Sequence, residues 1–285
     1  MVIFSGTDGL GNEIFQYAFL KKIARPKEKI LCIGGFEHLV ECFELNDEYF
    51  RLIIINGFNL KIFVKVFFPI LKFLSKIRII SLISQDYKKD IPTQTYSFLK
   101  GLMPIKLVET GFFQGEIFVK KDLSLSFKEV FLSRAKEILS FTPVKSTPVF
   151  IHVRRGDYLF ENFSDIDGVE LPLSYFEKAI KIIKDELKEP YFFILSDDLV
   201  YIKNNFQFLE QNKMYISSEN AYVDLALMSL CGYGICSNSS FSWFGYYLAS
   251  SKMKYIFPKY WFGWKSRTES HPGIQPKGTI IINPN

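Results

Sequence analysis

Apolar residues in this chain fall into short strand-like runs separated by longer helical ones. Val2 to Gly6, Val149 to Val153, Tyr191 to Leu195 and Tyr233 to Cys236 are β-branched and aromatic runs of strand length, and Val108-Glu109 to Phe113 reads the same way. Between them, apolar positions recur at helical spacing. An apolar helix is expected from about Glu13 to Ala24, stopped at Pro26. Another is expected from Phe127 to Leu139, with Phe127, Phe131, Ile138 and Leu139 on one face. In the second half, Ser174 to Glu177 reads as a capping box opening a stripe of Phe176, Ile180, Ile183 and Leu187. Further helices are expected over about Tyr222 to Leu230 and from near Trp243.

Strands alternating with helices over this length predict an α/β chain with a parallel, doubly wound sheet. The segment Thr142-Pro143-Val144-Lys145-Ser146-Thr147-Pro148 carries two prolines among polar residues and is the best candidate linker. It divides the chain into residues 1–144 and 145–285. The opening strand runs into Gly9-Leu10-Gly11-Asn12 at the start of a helix, so Gly11 and Asn12 could bring backbone N–H groups to a phosphate or sugar. Those glycines lack the GxGxxG spacing of a dinucleotide fingerprint, and no GK[ST] follows to make a P-loop.

Residues 49–85 contain no Asp or Glu, while Arg51, Lys61, Lys65, Lys72, Lys76 and Arg78 add six positive charges. The longest uncharged run there, Leu52 to Leu60, is far short of the ~20 residues of a spanning helix. Two readings stand: a core-facing helix pair broken at Pro69 with a lysine stripe in solvent, or a basic, aromatic-rich surface on an anionic membrane. With 285 residues and 48% hydrophobic content the chain can bury two moderate cores. A net charge of +5 suits an anionic ligand but is too small to argue for nucleic acid. The four cysteines form no CxxC, which argues against a zinc site or a disulfide scaffold and for reduced thiols in a cytoplasm. Strand-like residues start at Val2, so no signal peptide is expected.

The candidate chemistry sits at three strand ends. Arg154-Arg155 with Asp157 follows one strand, Ser196-Asp197-Asp198 the next, and Ser237 to Ser242 a third. In a parallel sheet such ends share one edge, where open α/β sheets bind ligands. Two guanidinium forks can grip a diphosphate. Asp197 or Asp198 could accept hydrogen bonds from ribose hydroxyls or a guanine edge, and the serine loop at a helix N-terminus offers donors to phosphate. Each cluster also has a plainer reading: arginines in structural ion pairs, an Asp-Asp that caps a helix, a Ser/Asn turn. Asp165-Ile166-Asp167 is a D-x-D of the kind that holds a metal on a nucleotide diphosphate, but it lies in a polar, glycine-containing loop and reads as solvated.

Four stretches together resemble the α-1,2-fucosyltransferases of glycosyltransferase family 11. They are Gly9-Leu10-Gly11-Asn12-Glu13-Ile14-Phe15-Gln16-Tyr17-Ala18, Gly111-Phe112-Phe113-Gln114-Gly115-Glu116, His152-Val153-Arg154-Arg155-Gly156-Asp157-Tyr158 and Ser237-Asn238-Ser239-Ser240-Phe241-Ser242-Trp243-Phe244-Gly245. The resemblance implies a GT-B-like fold of two facing Rossmann-like domains, with the first on the acceptor side and the second binding the donor. It implies inverting transfer of L-fucose from GDP-β-L-fucose to the 2-hydroxyl of a terminal galactose, in a free oligosaccharide or a lipid-linked O-antigen-type glycan. It implies that no metal or other cofactor is required. By carry-over, Arg154 binds the donor diphosphate with Arg155 in support, and Ser239, Ser240 and Phe241 line the nucleotide pocket. His152, Gly11, Asn12, Asp197 and Asp198 complete the expected substrate contacts. Asp157 and Glu13 are candidate bases, with Asp8 and Glu116 behind them. Asp8, Glu13, Gly115 and Phe244 depart from the family pattern, which touches mostly the acceptor side. The expected setting is the cytoplasm or the inner membrane face. The alternatives are a non-catalytic GDP- or glycan-binding protein and a transferase of another GDP-sugar.

Overall fold

A computed structural model describes residues 1–6, 9–45, 48–53, 57–86, 94–159, 169–209, 212–217, 220–267, 269 and 272–285, with the side chains of 57–64 and 217 left aside. The chain forms two compact units: residues 1–126 with 272–274, and residues 127–271 with 275–285.

The first unit contains β1 (Val2–Phe4), α1 (Leu10–Ile23), β2 (Ile30–Ile33), α2 (Glu37–Cys42), β3 (Phe43–Glu44), β4 (Phe50–Ile53), α3 (Gly57–Lys76), β5 (Ser81–Asp86), β6 (Thr95–Leu99) and β7 (Lys106–Val108). Its sheet runs β4-β2-β1-β7-β5-β6, parallel throughout except for the antiparallel β5–β6 pair. Two details differ from the sequence expectations. The strand expected to reach Phe113 ends at Val108, because Phe113 is held at positive φ and its amide donates to the Gln85 side chain. The helix pair expected to break at Pro69 is one helix, α3, with Pro69 inside it and exposed. Proline removes one amide and crowds the carbonyl four residues back, a cost smallest where that carbonyl can turn to water.

The second unit follows β8 (Ser126–Phe127) and contains α4 (Glu129–Leu139), β9 (Thr147–Val153), α5 (Leu173–Glu186), β10 (Pro190–Ser196), α6 (Leu199–Asn205), β11 (Lys213–Ser217), α7 (Ala221–Leu230), β12 (Tyr233–Ile235), α8 (Ser240–Tyr247), β13 (Lys254–Pro258) and β14 (Ile280–Ile282). Helix α4 packs on α7, with Phe131 and Tyr222 ring centroids 5.0 Å apart. The proline-rich segment therefore lies inside this unit, between α4 and β9. The sheet is wholly parallel in the order β11-β10-β9-β12-β13-β14. Counted from β9, that is the 3-2-1-4-5-6 order of doubly wound nucleotide-binding sheets, whose crevice opens where the order reverses. Here the reversal lies between β9 and β12. Strand β10 is buried along its whole length, as a central parallel strand covered on both faces must be. On α5, Phe176, Ile180 and Ile183 are buried as the stripe predicts. The capping box is absent, however: Pro172 precedes the helix, and the Ser174 hydroxyl instead donates to the Pro284 carbonyl, 3.1 Å away.

Candidate active site

Strand β9 delivers Arg154 and Arg155 at its C-terminal end, and the structure surrounds both with carboxylates. Arg154 forks onto Asp157 Oδ1 through Nε (2.9 Å) and Nη2 (2.8 Å), and its Nη1 meets Asp197 Oδ2 at 2.8 Å. Its side chain keeps 36% of its surface exposed. Arg155 is only 13% exposed and is fully engaged: Nε donates to Asp198 Oδ2 at 3.0 Å, Nη1 pairs with Glu170, and the guanidinium lies 3.6 Å from the centre of the Tyr201 ring. The two arginines thus differ in kind. Arg154 is oriented but reachable, whereas Arg155 fastens the loop to α6 and to Glu170.

The aspartates expected to receive ribose or guanine are committed to the protein. Asp197 Oδ1 accepts the Arg155 amide (2.9 Å) while Oδ2 holds Arg154. Asp198 caps α6, accepting the Tyr201 amide at 2.9 Å through Oδ1, with Oδ2 on Arg155. Both carboxylates orient the arginines, and Asp198 also caps α6, as the plainer reading of that pair had it. Gly156 permits the packing: a Cβ there would come within 2.6 Å of Asp197 Oδ2.

Strand β12 supplies the facing loop. His152 is buried and shares a hydrogen bond with Ser237, Nδ1 to Oγ 2.7 Å, and its ring lies 5.5 Å from that of Phe241. Burial pushes the imidazole down to about 4; Asp197 opposes this and Arg154 adds to it, so His152 is neutral at pH 7. It joins the end of β9 to the loop after β12. Ser239 Oγ caps α8, accepting the Phe241 amide at 3.3 Å, and Ser242 Oγ donates to the carbonyls of Ser237 (3.1 Å) and Ser239 (3.2 Å). Tyr158 OH donates to the Asn238 carbonyl at 2.8 Å and lies under Arg154, 5.9 Å from guanidinium to ring centre. The half-exposed Ser240 and Phe241 thus open a helix N-terminus on the same edge of the sheet as Arg154.

In the first unit, two of the recognised stretches meet. Asn12 Oδ1 accepts from Gln114 Nε2 at 2.9 Å, and Gln16 Nε2 donates to the Gly111 carbonyl at 3.0 Å. Gln114 Oε1 is buried and has no hydrogen-bond partner. Gly11 is buried on α1 and Asn12 half-buried, at the helix opened by Gly9 with φ +93°. Glu13 is a correction. It is wholly buried, Oε2 accepts the Leu39 amide of α2 at 2.6 Å, and desolvation raises its pKa against that bond. It anchors α2 and presents no carboxylate to a substrate. Nearby, a cavity of about 320 Å³ at the end of β7 is lined by Phe68, Lys72, Gln85 and Glu109 among others. Asp8 and the Asp165/Asp167 pair lie outside the described residues. Among the described residues no cluster of three or more His, Cys, Asp or Glu could hold a metal ion. All four cysteines are buried free thiols.

The residues that sequence reading missed are Glu170 and Tyr201, which grip Arg155, and Tyr158, which ties the β9 loop to the β12 loop. Tyr158 stood inside a recognised stretch; Glu170 carried no local signal.

Comparison with known proteins agrees with this geometry. The model of "Glycosyl transferase family 11" matches residues 2–271. An alpha-1,2-colitosyltransferase of Escherichia coli is 28% identical over 89% of this chain and 90% of its own length. The O-antigen biosynthesis glycosyltransferase WbnK of Escherichia coli is 36% identical over 42% of this chain and 40% of its own. Galactoside 2-alpha-L-fucosyltransferase SEC1 of Bos taurus is 27% identical over 39% of this chain and 31% of its own. Among solved structures, a point mutant of Arabidopsis thaliana FUT1 in complex with GDP superposes with a TM-score of 0.54 at 12% identity, covering 90% of this chain and 70% of that one. The α/β fold, with a mostly parallel sheet in the first unit and a wholly parallel one in the second, is of the GT-B type. Matched from its first strand almost to its end, with the family's arginine and serine stretches at one sheet edge, the chain is a glycosyltransferase of family 11.

Proposed function

We propose that this glycosyltransferase moves L-fucose from GDP-β-L-fucose to the 2-hydroxyl of a terminal galactose, with inversion and without a metal. The observation that carries the reading is Arg154, oriented by Asp157 and Asp197 yet one-third exposed, on the sheet edge where α8 begins. In the reaction the acceptor hydroxyl attacks the anomeric carbon from the face opposite the phosphate. The bond from that carbon to the phosphate oxygen breaks, its electron pair leaves on GDP, and the hydroxyl proton passes to a base. Negative charge grows on the departing diphosphate, where a preorganised guanidinium and a helix N-terminus stabilise it most. A fixed cation there takes the part that a divalent ion plays in metal-dependent transferases. Asp157 acts by aligning Arg154. The first unit is the acceptor side: the Asn12–Gln114 amide pair and the cavity with Phe68, Gln85 and Glu109 offer the mix of aromatic face and polar groups that sugars bind. The acceptor is a galactose-terminated oligosaccharide, free or lipid-linked in an O-antigen-type glycan, and the reaction takes place in the cytoplasm. WbnK, an O-antigen biosynthesis enzyme, supports that context.

The colitosyltransferase relative favours one second reading, a different GDP-linked deoxy sugar as donor. Incubating the protein with EDTA, β-galactosides and either GDP-fucose or GDP-colitose, read by mass spectrometry and linkage analysis, decides between them. A 2-fucosylated product supports the first reading, and a product with GDP-colitose alone the second. GDP-induced thermal stabilisation without consumption of either donor would make the chain a binding protein.

A further inference from the structure

Helix α3 has apolar residues on two sides. Leu71 packs in the core of the first unit with Ile3, Ile33, Ile80 and Leu107, joined by Phe67, Phe68 and Leu74. The side facing away carries Val66, Ile70, Phe73 and Ile77, each between 50% (Ile77) and 59% (Phe73) exposed. Their spacing of four, three and four residues makes one continuous stripe along the helix. The stripe continues beyond the helix end into Leu102 (89% exposed) and Met103 (48%), whose amides donate to the carbonyls of Arg78 and Ile79. A contiguous apolar surface of this kind calls for a partner.

Charge identifies the partner. Lys65, Lys72 and Lys76 form a second row about 110° round the helix from the apolar stripe. Lys65, Lys76, Arg78 and Lys100 are exposed. Residues 65–85 and 94–103, which supply this whole surface, contain no Asp or Glu. Lys72 is paired with Glu109 at 3.0 Å, and the other four cations are not balanced within these segments. A protein partner of ordinary composition meets an apolar stripe with mixed charge at its rim. An apolar stripe whose flank carries Lys65, Lys76, Arg78 and Lys100 beside the single Lys72–Glu109 pair matches the boundary between acyl chains and anionic headgroups. No helix among the described residues is long and apolar enough to cross a membrane, so the contact is lateral.

We propose that α3 and the adjoining Leu102–Met103 turn lie on an anionic membrane, with Val66, Ile70, Phe73 and Ile77 sunk at the headgroup boundary and the lysine row against lipid phosphates. This goes beyond the donor chemistry and does not rest on it.

Flotation of the full chain with phosphatidylglycerol/phosphatidylethanolamine vesicles, against neutral phosphatidylcholine, tests it. Binding is expected only to the anionic vesicles and falls as salt rises. Each of Lys65→Glu and Lys76→Glu lowers the partition at least about fivefold. Ile70→Ser/Phe73→Ser abolishes it while leaving the Tm and GDP-induced stabilisation unchanged, since both side chains already face water. A wild-type chain that stays with the soluble fraction overturns the proposal. So does a concentration-dependent dimer, abolished by the same Ile70/Phe73 variant, in a chain that does not float; the stripe then belongs to a second copy. Loss of donor turnover with flotation intact would instead count against the proposed function alone.

Discussion

Arg154 and Arg155 are sequence neighbours of equal charge, and their surroundings give them opposite substitution phenotypes. Arg154→Ala is expected to lower transfer by ~10²-fold or more, through lost stabilisation of the leaving diphosphate, with the Tm close to wild type. Arg155→Ala removes the partner of Asp198 and Glu170 and the guanidinium stacked on Tyr201, so its loss appears as stability, on the order of 2–3 kcal/mol in denaturant unfolding. Equal stability losses in the two variants would refute the division. His152 gives a pH signature. Its folded pKa, about 4, lies below the ordinary 6.5, so between those values the unfolded chain binds the extra proton. Stability is therefore intact above pH 6.5 and falls by up to ~1.4 kcal/mol per unit as pH drops towards 4. Replacing His152 with Gln should flatten that part of a Tm–pH curve; an unchanged slope would mean that other groups cause it. At this scale the arginines, Asp157 and the serines were legible because they stand together in the chain. Glu170 was not, because folding alone brings it to Arg155 from fifteen residues away.

Between elements, the site depends on how closely the loops after β9, β10 and β12 approach one another. Gly156→Ala would push a methyl group against Asp197 Oδ2, which is already tied to Arg154. Transfer should fall about 10- to 10²-fold with little change in stability, because a misaligned guanidinium costs rate before it costs fold. Ser239→Ala removes the α8 cap and should cost about 1 kcal/mol while weakening GDP binding. Retained GDP affinity would show that the helix N-terminus is not part of the donor site. Alternation of strand and helix in the second half was readable because parallel strands buried on both faces are mostly apolar, as β9 and β10 are. The first half was harder to read. Its β7 is three residues long and followed by a loop that carries Phe112 and Phe113, and Ser174 had the composition of a cap with a different hydrogen-bond partner.

For the whole molecule, the proposed function makes GDP a stabilising ligand of the native state, held at the edge of the second sheet where the order 3-2-1-4-5-6 reverses. At a hundred times Kd it should add about 2.7 kcal/mol, seen as a Tm rise of roughly 5–8 °C. EDTA should leave both that shift and the turnover unchanged, and loss of either on chelation would mean that a divalent ion shares the diphosphate with Arg154. The GT-B-type fold and the family were readable from four colinear stretches. The division into units was not. Prolines signalled a linker at Thr142 to Pro148, but hydrophobic contact between α4 and α7 draws residues 127–139 into the second unit.

Residues 272–274 have a practical consequence for anyone recombining family members. They belong to the first unit although they lie near the end of the chain: Ile274 is fully buried, and the Pro272 carbonyl accepts the Gln94 amide at 3.3 Å. A chimera cut once, near residue 144, would set the native α4 against a foreign α7 and leave the first unit lined by another protein's tripeptide. Swapping donor specificity between relatives therefore calls for two exchanged blocks, 127–271 and 275–285, with the native Pro272-Gly273-Ile274 kept between them.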